Sequence, residues 1–387
     1  MKICIISSYP PEKEGVGKFT KRLVDNLKND DLDIYVLTFD YRAAYGDNKK
    51  IYQILGPSPG NIIRTYRKLV SLSPHIIHVQ YAISLYRLFG IMLWIILLRY
   101  KKRHKVRIIT TFHEVKREIS LLKSLGIKYY SFMSRITDIA LVHTSEARDI
   151  LIDMIGMAQD RVLKIPLGLY SGNSIKSVYG KSLGCINNID LRGKKVVLFF
   201  GYIHADKGID DLINAVDLLY REAPALRTGS SVLIAGEIRP RRSVFKVFEY
   251  IDLLYKKRLK KMVRGLGLEN NVKFLGYIED REVYPLLNRA AVIVLPYKKV
   301  EQSGVLNLAL NLDKPVISTN IGGFKEILNG SGLVVEPADP RLLKDKLKQV
   351  LTGSLYPGIN KTYGEIRRNN SLGRIVDIHM MVYKNII

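Results

Sequence analysis

The stretch VVLFFGYIHADKGIDDLINAV, residues 196–216, decides the fold. Its first five residues are apolar, as in a strand buried on both faces, and Gly201 stands where the backbone must turn. A loop with Lys207 and Gly208 follows, and apolar residues then recur at helical spacing behind two acidic residues. Such a unit aims N–H groups and an ammonium group at an anion, and phosphate is the natural ligand. An ordinary βα turn with a solvated lysine is the alternative for this loop taken alone.

A second unit of the same kind opens the chain. KICIISSYPPEKEGVGKFTKRLVDNL, residues 2–27, contains a strand, a loop that reaches Gly15 and Gly17, and apolar residues at helical spacing. The loop is too short for a dinucleotide fingerprint, so no dinucleotide cofactor is predicted. Two such starts in a chain of 387 residues predict two domains, each long enough to form its own core.

Strand-like and helix-like segments alternate along both halves, which is typical of doubly wound α/β domains. A stretch rich in glycine and asparagine without clear periodicity separates the halves. We therefore predict a first domain over residues 1–170, a linker over 171–193 and a second domain over 194–371.

The excess of positive charge is regional and falls in one segment of the first half. The net charge is +25, and no acidic residue occurs between Asp47 and Glu114. The apolar run LFGIMLWIILL, residues 88–98, lies in this segment and is too short to span a bilayer. It suits either a helix packed on the sheet or one lying in a membrane interface. Nucleic acid is not a predicted partner, because no binding motif accompanies the charge.

The sequence also bears on location. Cys4 and Cys185 fit no metal spacing, and their scarcity favours a reducing compartment. The apolar run after Lys2 is shorter than a signal-peptide core. These features predict a cytoplasmic protein that associates peripherally with an anionic membrane surface.

Six segments in order carry a family resemblance. The segments are HIIHVQY (75–81), TTFHEV (110–115), IPLGL (165–169), FFGYIHADKG (199–208), NVKFLGYI (271–278) and PYKKVEQSGVLNLALNLDKPVIST (296–319). With these segments the chain resembles the retaining glycosyltransferases of family 4, of the GT-B type, in which two Rossmann-like domains face each other across a cleft. The resemblance implies transfer of a hexose-type sugar from a nucleotide-diphosphate donor to a glycan or lipid-linked acceptor. It also implies that a final helix, about residues 372–387, returns to the first domain.

The resemblance assigns roles to individual residues. Glu301 would hold hydroxyls of the donor sugar, His113 would contact the sugar from the other domain, and Lys207 would stabilise the departing diphosphate. Gly304 and Val305 begin a helix whose free N–H groups can bind that diphosphate. The predicted donor-binding residues are Gly15, Gly17, Gly201, Tyr202, His204, Lys207, Ile278, Ser303, Gly304 and Val305. No metal and no cofactor are predicted, and the nucleotide sugar is the donor substrate.

Two positions depart from the family pattern. Ala309 stands where the family has a second glutamate that binds the ribose, and Tyr202 stands where many members have an arginine. Asn307 and His204 are candidate substitutes. A subset of the family with a serine-glycine motif shares both departures. Two alternatives stay open: an inactive GT-B binding or scaffold subunit, and a GT-B sugar-nucleotide epimerase or phosphorylase.

Overall fold

The chain forms two compact units. The structure is a computed structural model that describes residues 1–11, 15–27, 31–39, 50–86, 89–168, 184–240, 246–300, 303–312, 314–328, 330–354 and 359–387. Unit 1 consists of Met1–Leu167 and Gly373–Ile387, and unit 2 consists of Gly168–Leu372.

Unit 1 is built on a seven-stranded parallel sheet with the order β3-β2-β1-β4-β5-β6-β7. The central strands are apolar and buried, as helices on both faces of a parallel sheet require. The strands are β1 (Lys2–Ile6), β2 (Asp33–Phe39), β3 (Ile51–Leu55), β4 (Ile76–Tyr81), β5 (Arg107–Phe112), β6 (Ile139–Val142) and β7 (Val162–Lys164). The helices are α1 (Gly15–Asn26), α2 (Pro59–Leu72), α3 (Ile83–Tyr86), α4 (Phe89–Arg103), α5 (Val115–Leu122), α6 (Ser124–Ile136) and α7 (Ser145–Asp149).

Unit 2 repeats the arrangement with six parallel strands in the order β10-β9-β8-β11-β12-β13. The strands are β8 (Lys195–Phe200), β9 (Ser230–Ala235), β10 (Val272–Gly276), β11 (Val292–Leu295), β12 (Val316–Thr319) and β13 (Val334–Val335). The helices are α8 (Ile209–Glu222), α9 (Pro224–Gly229), α10 (Lys246–Gly265), α11 (Asp280–Arg289), α12 (Gly304–Asn311), α13 (Gly322–Leu328), α14 (Pro340–Thr352) and α15 (Ile359–Asn369). The predicted fold class, two parallel-sheet Rossmann-like units, is confirmed.

The strand order locates the candidate sites. In both sheets the chain first adds strands on one side of the first strand and then adds the remaining strands on its other side. The strand order therefore reverses between β1 and β4 and between β8 and β11. Ligands of open parallel sheets bind outside the carboxyl ends of the strands at this reversal. The loops after β1, β4, β8 and β11 are therefore the first places to look for a site.

The boundaries of the units differ in detail from the predicted domains. The last helix, α16 (Leu372–Asn385), lies in unit 1 from Gly373 onward. The predicted linker lies outside the described residues up to position 183, but its remainder packs on unit 2. There Ile186 and Leu191 join the core, and the N–H of Cys185 donates to Glu282 at 2.8 Å. Apolar burial thus ties residues 184–193 to unit 2.

Helix α4 contains the apolar run noted in the sequence. It buries Leu93, Trp94 and Leu97 against the sheet, as expected for a packed helix. On the opposite side Ile91, Met92 and Ile95 are 47%, 46% and 53% exposed, and their stripe continues into basic residues at the end of the helix. Among the described residues no helix is long and apolar enough to cross a membrane.

Candidate active site

The loop between β8 and α8 closely approaches its neighbours at its two ends. Gly201 and Gly208 have φ values of +146° and +61°. A Cβ atom on Gly208 would lie 1.9 Å from the carbonyl oxygen of Pro296, so only glycine fits there. The same holds for Gly236, where a Cβ would lie 1.8 Å from the carbonyl oxygen of Gly201. Gly208 therefore allows the loop of residues 201–208 to pack against the loop after β11, and Gly236 allows the segment after β9 to pack against Gly201.

Lys207 contacts that neighbouring loop. Its Nζ lies 3.6 Å from the centre of the Tyr297 ring, a cation–π contact. Tyr297 is buried, and a polar interaction with Ser303 lowers the pKa of its hydroxyl slightly against the effect of burial. Burial raises the pKa of Tyr297 to about 12, so its hydroxyl stays neutral at physiological pH. Tyr297 thus joins the ammonium group of Lys207 to the residue that precedes α12.

The first turn of α12 offers unoccupied donors. The Ser303 hydroxyl caps this helix by accepting from the N–H of Leu306 at 3.4 Å. The N–H groups of Gly304 and Val305 have no acceptor among the residues that the structure describes. Free N–H groups and the helix dipole favour an anion at this end. Lys207 and α12 therefore supply positive potential on either side of Tyr297.

A second lysine fixes the loop after β11. The Nζ of Lys298 lies 2.9 Å from Asp210 and 3.1 Å from Asp211 at the start of α8. Burial would raise the pKa of Asp210, but hydrogen bonds from Lys298 and Tyr255 outweigh it and lower the pKa. The pKa of Asp211 is raised, first by burial and then by Asp210. The acidic pair thus tethers one loop to the other, beyond its expected role in a first helical turn.

Several predicted donor residues have their positions set by the fold. His204 accepts a hydrogen bond from the N–H of Asp206 at 3.3 Å, so its Nδ1 stabilises the loop itself. Tyr202 is 43% exposed. The Ile278 side chain is buried in the core, whereas the preceding Tyr277 is 56% exposed. Tyr277 is an exposed aromatic side chain beside β10 that was not among the predicted site residues. Its position in NVKFLGYI was the only sequence feature that pointed to it.

The residues near the missing glutamate are buried. Ala309 is fully buried, and Asn307 is 2% exposed. The Nδ2 of Asn307 donates to the carbonyl oxygen of Gly168 at 3.1 Å. Asn307 therefore anchors α12 to the start of unit 2, which argues against its predicted role as a substitute ribose ligand. Glu301 lies outside the described residues.

Unit 1 contains a buried chain of polar side chains that crosses the carboxyl ends of β4, β5 and β6. It runs from the hydroxyl of Tyr383 on α16 through His78, Gln80, His113 and His143. The hydroxyl of Tyr383 lies 2.6 Å from Nδ1 of His78, and Nε2 of His78 lies 3.2 Å from the amide of Gln80. That amide lies 2.9 Å from Nε2 of His113. Nδ1 of His113 lies 3.1 Å from Nε2 of His143, and Nδ1 of His143 lies 2.8 Å from the carbonyl oxygen of Ile165.

Burial keeps all three histidines of the chain neutral. Desolvation lowers the pKa of His78 and His113 well below the usual value, and nearby histidines lower both further. Burial lowers the pKa of His143 to about 4, although the bond to Ile165 opposes the shift. Each neutral ring has one donor and one acceptor nitrogen. Each of the three histidines in this row of side chains therefore carries one ring proton.

This proton count assigns the orientation of His143, His113 and Gln80. Because the carbonyl of Ile165 accepts, His143 carries its proton on Nδ1, and its Nε2 must accept from Nδ1 of His113. Nε2 of His113 is then an acceptor, so the amide nitrogen of Gln80 must face it, as such networks tell amide nitrogen and oxygen apart. Nε2 of His78 lies 2.8 Å from the hydroxyl of Thr111 as well as 3.2 Å from the amide of Gln80.

Both ring nitrogens of His113, the residue predicted to contact the donor sugar, take part in this buried row of hydrogen bonds. Phe19 packs edge-on against His113 and His143, with ring centres 5.6 and 5.8 Å away. Phe19 lies on α1, which begins at the predicted Gly15 and Gly17. The structure thus brings three predicted residues of unit 1 to one edge of the sheet. Seven others, Gly201, Tyr202, His204, Lys207, Ser303, Gly304 and Val305, lie beside the strand reversal of unit 2.

The described residues contain no group of three or more histidine, cysteine, aspartate or glutamate side chains placed to hold a metal ion. The positive groups of this site are instead the ammonium group of Lys207 and the N–H groups at the start of α12. The site is suited to binding an anion through protein donors.

Two family models match the chain. Residues 13–170 match the model described as Glycosyltransferase Family 4, and residues 187–369 match the model described as Glycosyl transferases group 1. Each model accounts for one of the two units. The chain is therefore similar to one glycosyltransferase model over its first half and to another over its second half.

Individual proteins are similar to the chain over different extents. Mannosylfructose-phosphate synthase of Agrobacterium fabrum is 27% identical over 55% of this chain and 45% of its own length. The chain thus matches less than half of that relative. Sucrose-phosphate synthase of Thermosynechococcus elongatus superposes with a TM-score of 0.76 at 16% identity, over 100% of this chain and 99% of that one. Anabaena HepE, solved in complex with UDP, gives a TM-score of 0.73 at 15% identity over 100% of both chains. These likenesses establish the fold.

Proposed function

We propose that the chain is a retaining glycosyltransferase that moves a hexose-type sugar from a nucleotide-diphosphate donor to a glycan or lipid-linked acceptor. The observation that carries this proposal is the contact of Lys207 with Tyr297, which interacts with the Ser303 cap of α12. It joins the basic glycine loop to the free end of a helix within a unit that matches a glycosyltransferase model.

The chemistry follows from where charge develops. When the bond from the sugar to the diphosphate breaks, negative charge grows on the departing phosphate oxygen. Lys207 and the N–H groups of Gly304 and Val305 are fixed donors that stabilise this charge without reorganising. In this proposal the reaction is independent of a metal ion, because the protein supplies the positive groups itself.

The sugar-binding roles rest on the resemblance to the retaining family. Glu301 stands two residues before the α12 cap and is proposed to hold the sugar hydroxyls. His113 is proposed to face the sugar as a neutral ring in the fixed orientation that Gln80 and His143 impose. We propose that the chain belongs to the serine-glycine subset of the family, because Tyr202 and Ala309 match the two departures of that subset.

The donor class has support from structural neighbours. HepE has been solved with UDP and with UDP-glucose, which favours a uridine-diphosphate sugar as the first donor to test. In unit 2, the exposed ring of Tyr277 beside β10 is proposed to stack on the nucleotide base.

The acceptor proposal uses the surface of unit 1. The exposed stripe of Ile91, Met92 and Ile95 continues into Arg99 and Lys102 on the same side of α4. An apolar stripe with adjoining basic residues is typical of a surface that meets an anionic membrane. We propose reversible peripheral binding of this surface, which would give the site access to a lipid-linked acceptor at the cytoplasmic face.

Loss of the second family glutamate at Ala309 favours one alternative, an inactive binding subunit that retains the nucleotide site. A thermal-shift screen of nucleotide sugars tests binding for both proposals. A ligand at 100 times its dissociation constant stabilises the folded state by about 2.7 kcal/mol. Turnover with and without acceptor then separates the enzyme from the inactive subunit. Absence of stabilisation by every nucleotide sugar and every nucleoside diphosphate would refute both.

A further inference from the structure

Helix α10 of unit 2 has an unusual exposed surface. Its exposed residues other than the final glycine are either large and apolar or basic, and none is acidic or neutral polar. The apolar ones are Val247, Phe248, Tyr250, Ile251, Leu253 and Leu254. The basic ones are Lys246, Lys257, Arg258, Lys260, Lys261 and Arg264.

The two kinds of residue occupy successive halves of one outward face. The line formed by Tyr250, Leu254, Lys257 and Lys261 follows helical spacing and is exposed along its whole length. Tyr250 and Leu254 are 59% and 46% exposed. Lys257 and Lys261 have no ion pair with any residue that the structure describes. An apolar half is thus followed directly by a half with available positive charge.

The inner face fixes the helix to unit 2. Tyr255, Leu259 and Val263 are buried in the core, and Lys256 bonds Glu237 at 2.5 Å. The hydroxyl of Tyr255 donates to Asp210 at 2.8 Å, in the first turn of the helix that follows Lys207. The outward face is therefore held in place by the same contacts that support α8 and the loop of residues 201–208 before it.

We propose that α10 is a membrane-binding helix of unit 2, which lies in the interface plane of an anionic bilayer. The apolar first half would insert among the headgroups, and the basic second half would pair with anionic lipids. Amphipathic helices that bind membranes in this way combine apolar residues with lysine and arginine. Anionic lipid is the partner that satisfies both halves at once, whereas a nucleic acid or an acidic peptide would leave the apolar half in water.

The proposal has a consequence for the site. Since Tyr255 contacts Asp210, seating α10 at a bilayer would hold the Lys207 loop close to the membrane surface. This consequence rests on the proposed function, but membrane binding by α10 does not.

The test uses the full chain and sucrose-loaded vesicles of phosphatidylcholine alone or with phosphatidylglycerol, without nucleotide. The variants I251E/L254E and K257E/K261E should each weaken partitioning to the anionic vesicles by roughly tenfold or more, because each basic residue near such a surface contributes about 1 kcal/mol. The control L342E/K361E changes an exposed leucine on α14 and an exposed lysine on α15 and should bind as the unaltered chain does.

A fluorescent tryptophan on α10 distinguishes membrane binding by α10 from a folding defect and from binding through unit 1. The variant Tyr250→Trp should show a blue-shifted emission and quenching by brominated lipids on anionic vesicles, against the constant background of buried Trp94. The same readout from Leu342→Trp should not change. Unquenched fluorescence from the Tyr250→Trp variant, or equal vesicle binding by the α10 variants and the unaltered chain, would overturn the proposal. Thermal shifts with UDP, measured on the same variants, report the nucleotide site separately.

Discussion

The Nδ1 atom of His113 lies 3.1 Å from the Nε2 atom of His143, in a buried chain that extends to Tyr383 on the last helix. Because burial keeps both rings neutral, this contact has one donor and one acceptor, and the bond from His143 to Ile165 decides which is which. His113 is thereby oriented by residues distant in sequence, and its ring nitrogens are occupied before any ligand arrives.

The proton count predicts specific tautomers. His113 and His143 should carry their protons on Nδ1. Two-bond proton–nitrogen correlation spectra of the ring nitrogens at pH 7.5 distinguish these forms. Surface-exposed His75 serves as an internal comparison that exchanges with solvent. A doubly protonated His143, or His113 protonated on Nε2, would contradict the assigned chain.

Unit 1 should lose stability in mild acid. Burial lowers the pKa of His143, and of the buried His379 on α16, to about 4 and holds those of His78 and His113 well below 6.5. Because the unfolded histidines titrate near 6.5, the unfolded chain binds more protons below that pH. Stability contributed by the neutral rings is therefore complete above about pH 6.5 and falls towards pH 4, by up to about 1.4 kcal/mol per pH unit for each histidine.

Urea unfolding followed by Trp94 fluorescence measures this effect, since the single tryptophan lies in the core of unit 1. The midpoint should fall clearly between pH 7 and pH 5. A midpoint that stays constant over this range would show that the histidines are not buried as neutral rings.

Loss of Lys207 should impair chemistry more than folding. Lys207→Ala removes one donor to the developing charge, and removal of a single such donor lowers kcat by roughly 10²- to 10³-fold. Steady-state kinetics with the unaltered chain and Lys361→Ala, an exposed lysine on α15, provide the comparison. If purified Lys207→Ala retains full activity, this lysine has no part in the reaction.

Chelation should leave activity intact. The proposed site neutralises the diphosphate with Lys207 and the N–H groups of Gly304 and Val305, so divalent cations are expected to be dispensable. Initial rates with EDTA, compared with added magnesium or manganese, measure this directly. Complete loss in EDTA that either ion restores would refute metal independence.

Much of the fold was predictable because the central strands are continuous apolar runs. Strands such as β1, β4 and β8 are buried along nearly their whole length and stand out in the sequence. Strands β3, β7 and β13 were not predicted. They are short or only half-buried strands at the edges of the sheets, where partial exposure shortens the apolar run that marks a central strand.

The candidate site was predictable only in part. The glycine loop pointed to Lys207 because its chemistry is local in sequence. The bond from His78 to Tyr383 joins residues 305 positions apart, and Tyr297 acquires its role only through the register of β8 beside β11. Such relationships depend on tertiary structure, so sequence patterns did not indicate them.

The most direct test of the central claim is release of nucleoside diphosphate from a panel of nucleotide sugars, with and without glycan and lipid-linked acceptors. The account predicts that at least one donor releases nucleoside diphosphate in an acceptor-dependent manner, and UDP-glucose is the first to test. The sugar should appear on the acceptor with its anomeric configuration retained. The Lys207→Ala variant should lose the activity, whereas the Lys361→Ala variant should keep it. Binding of a nucleotide sugar without turnover under every acceptor condition would contradict the claim and favour the inactive subunit.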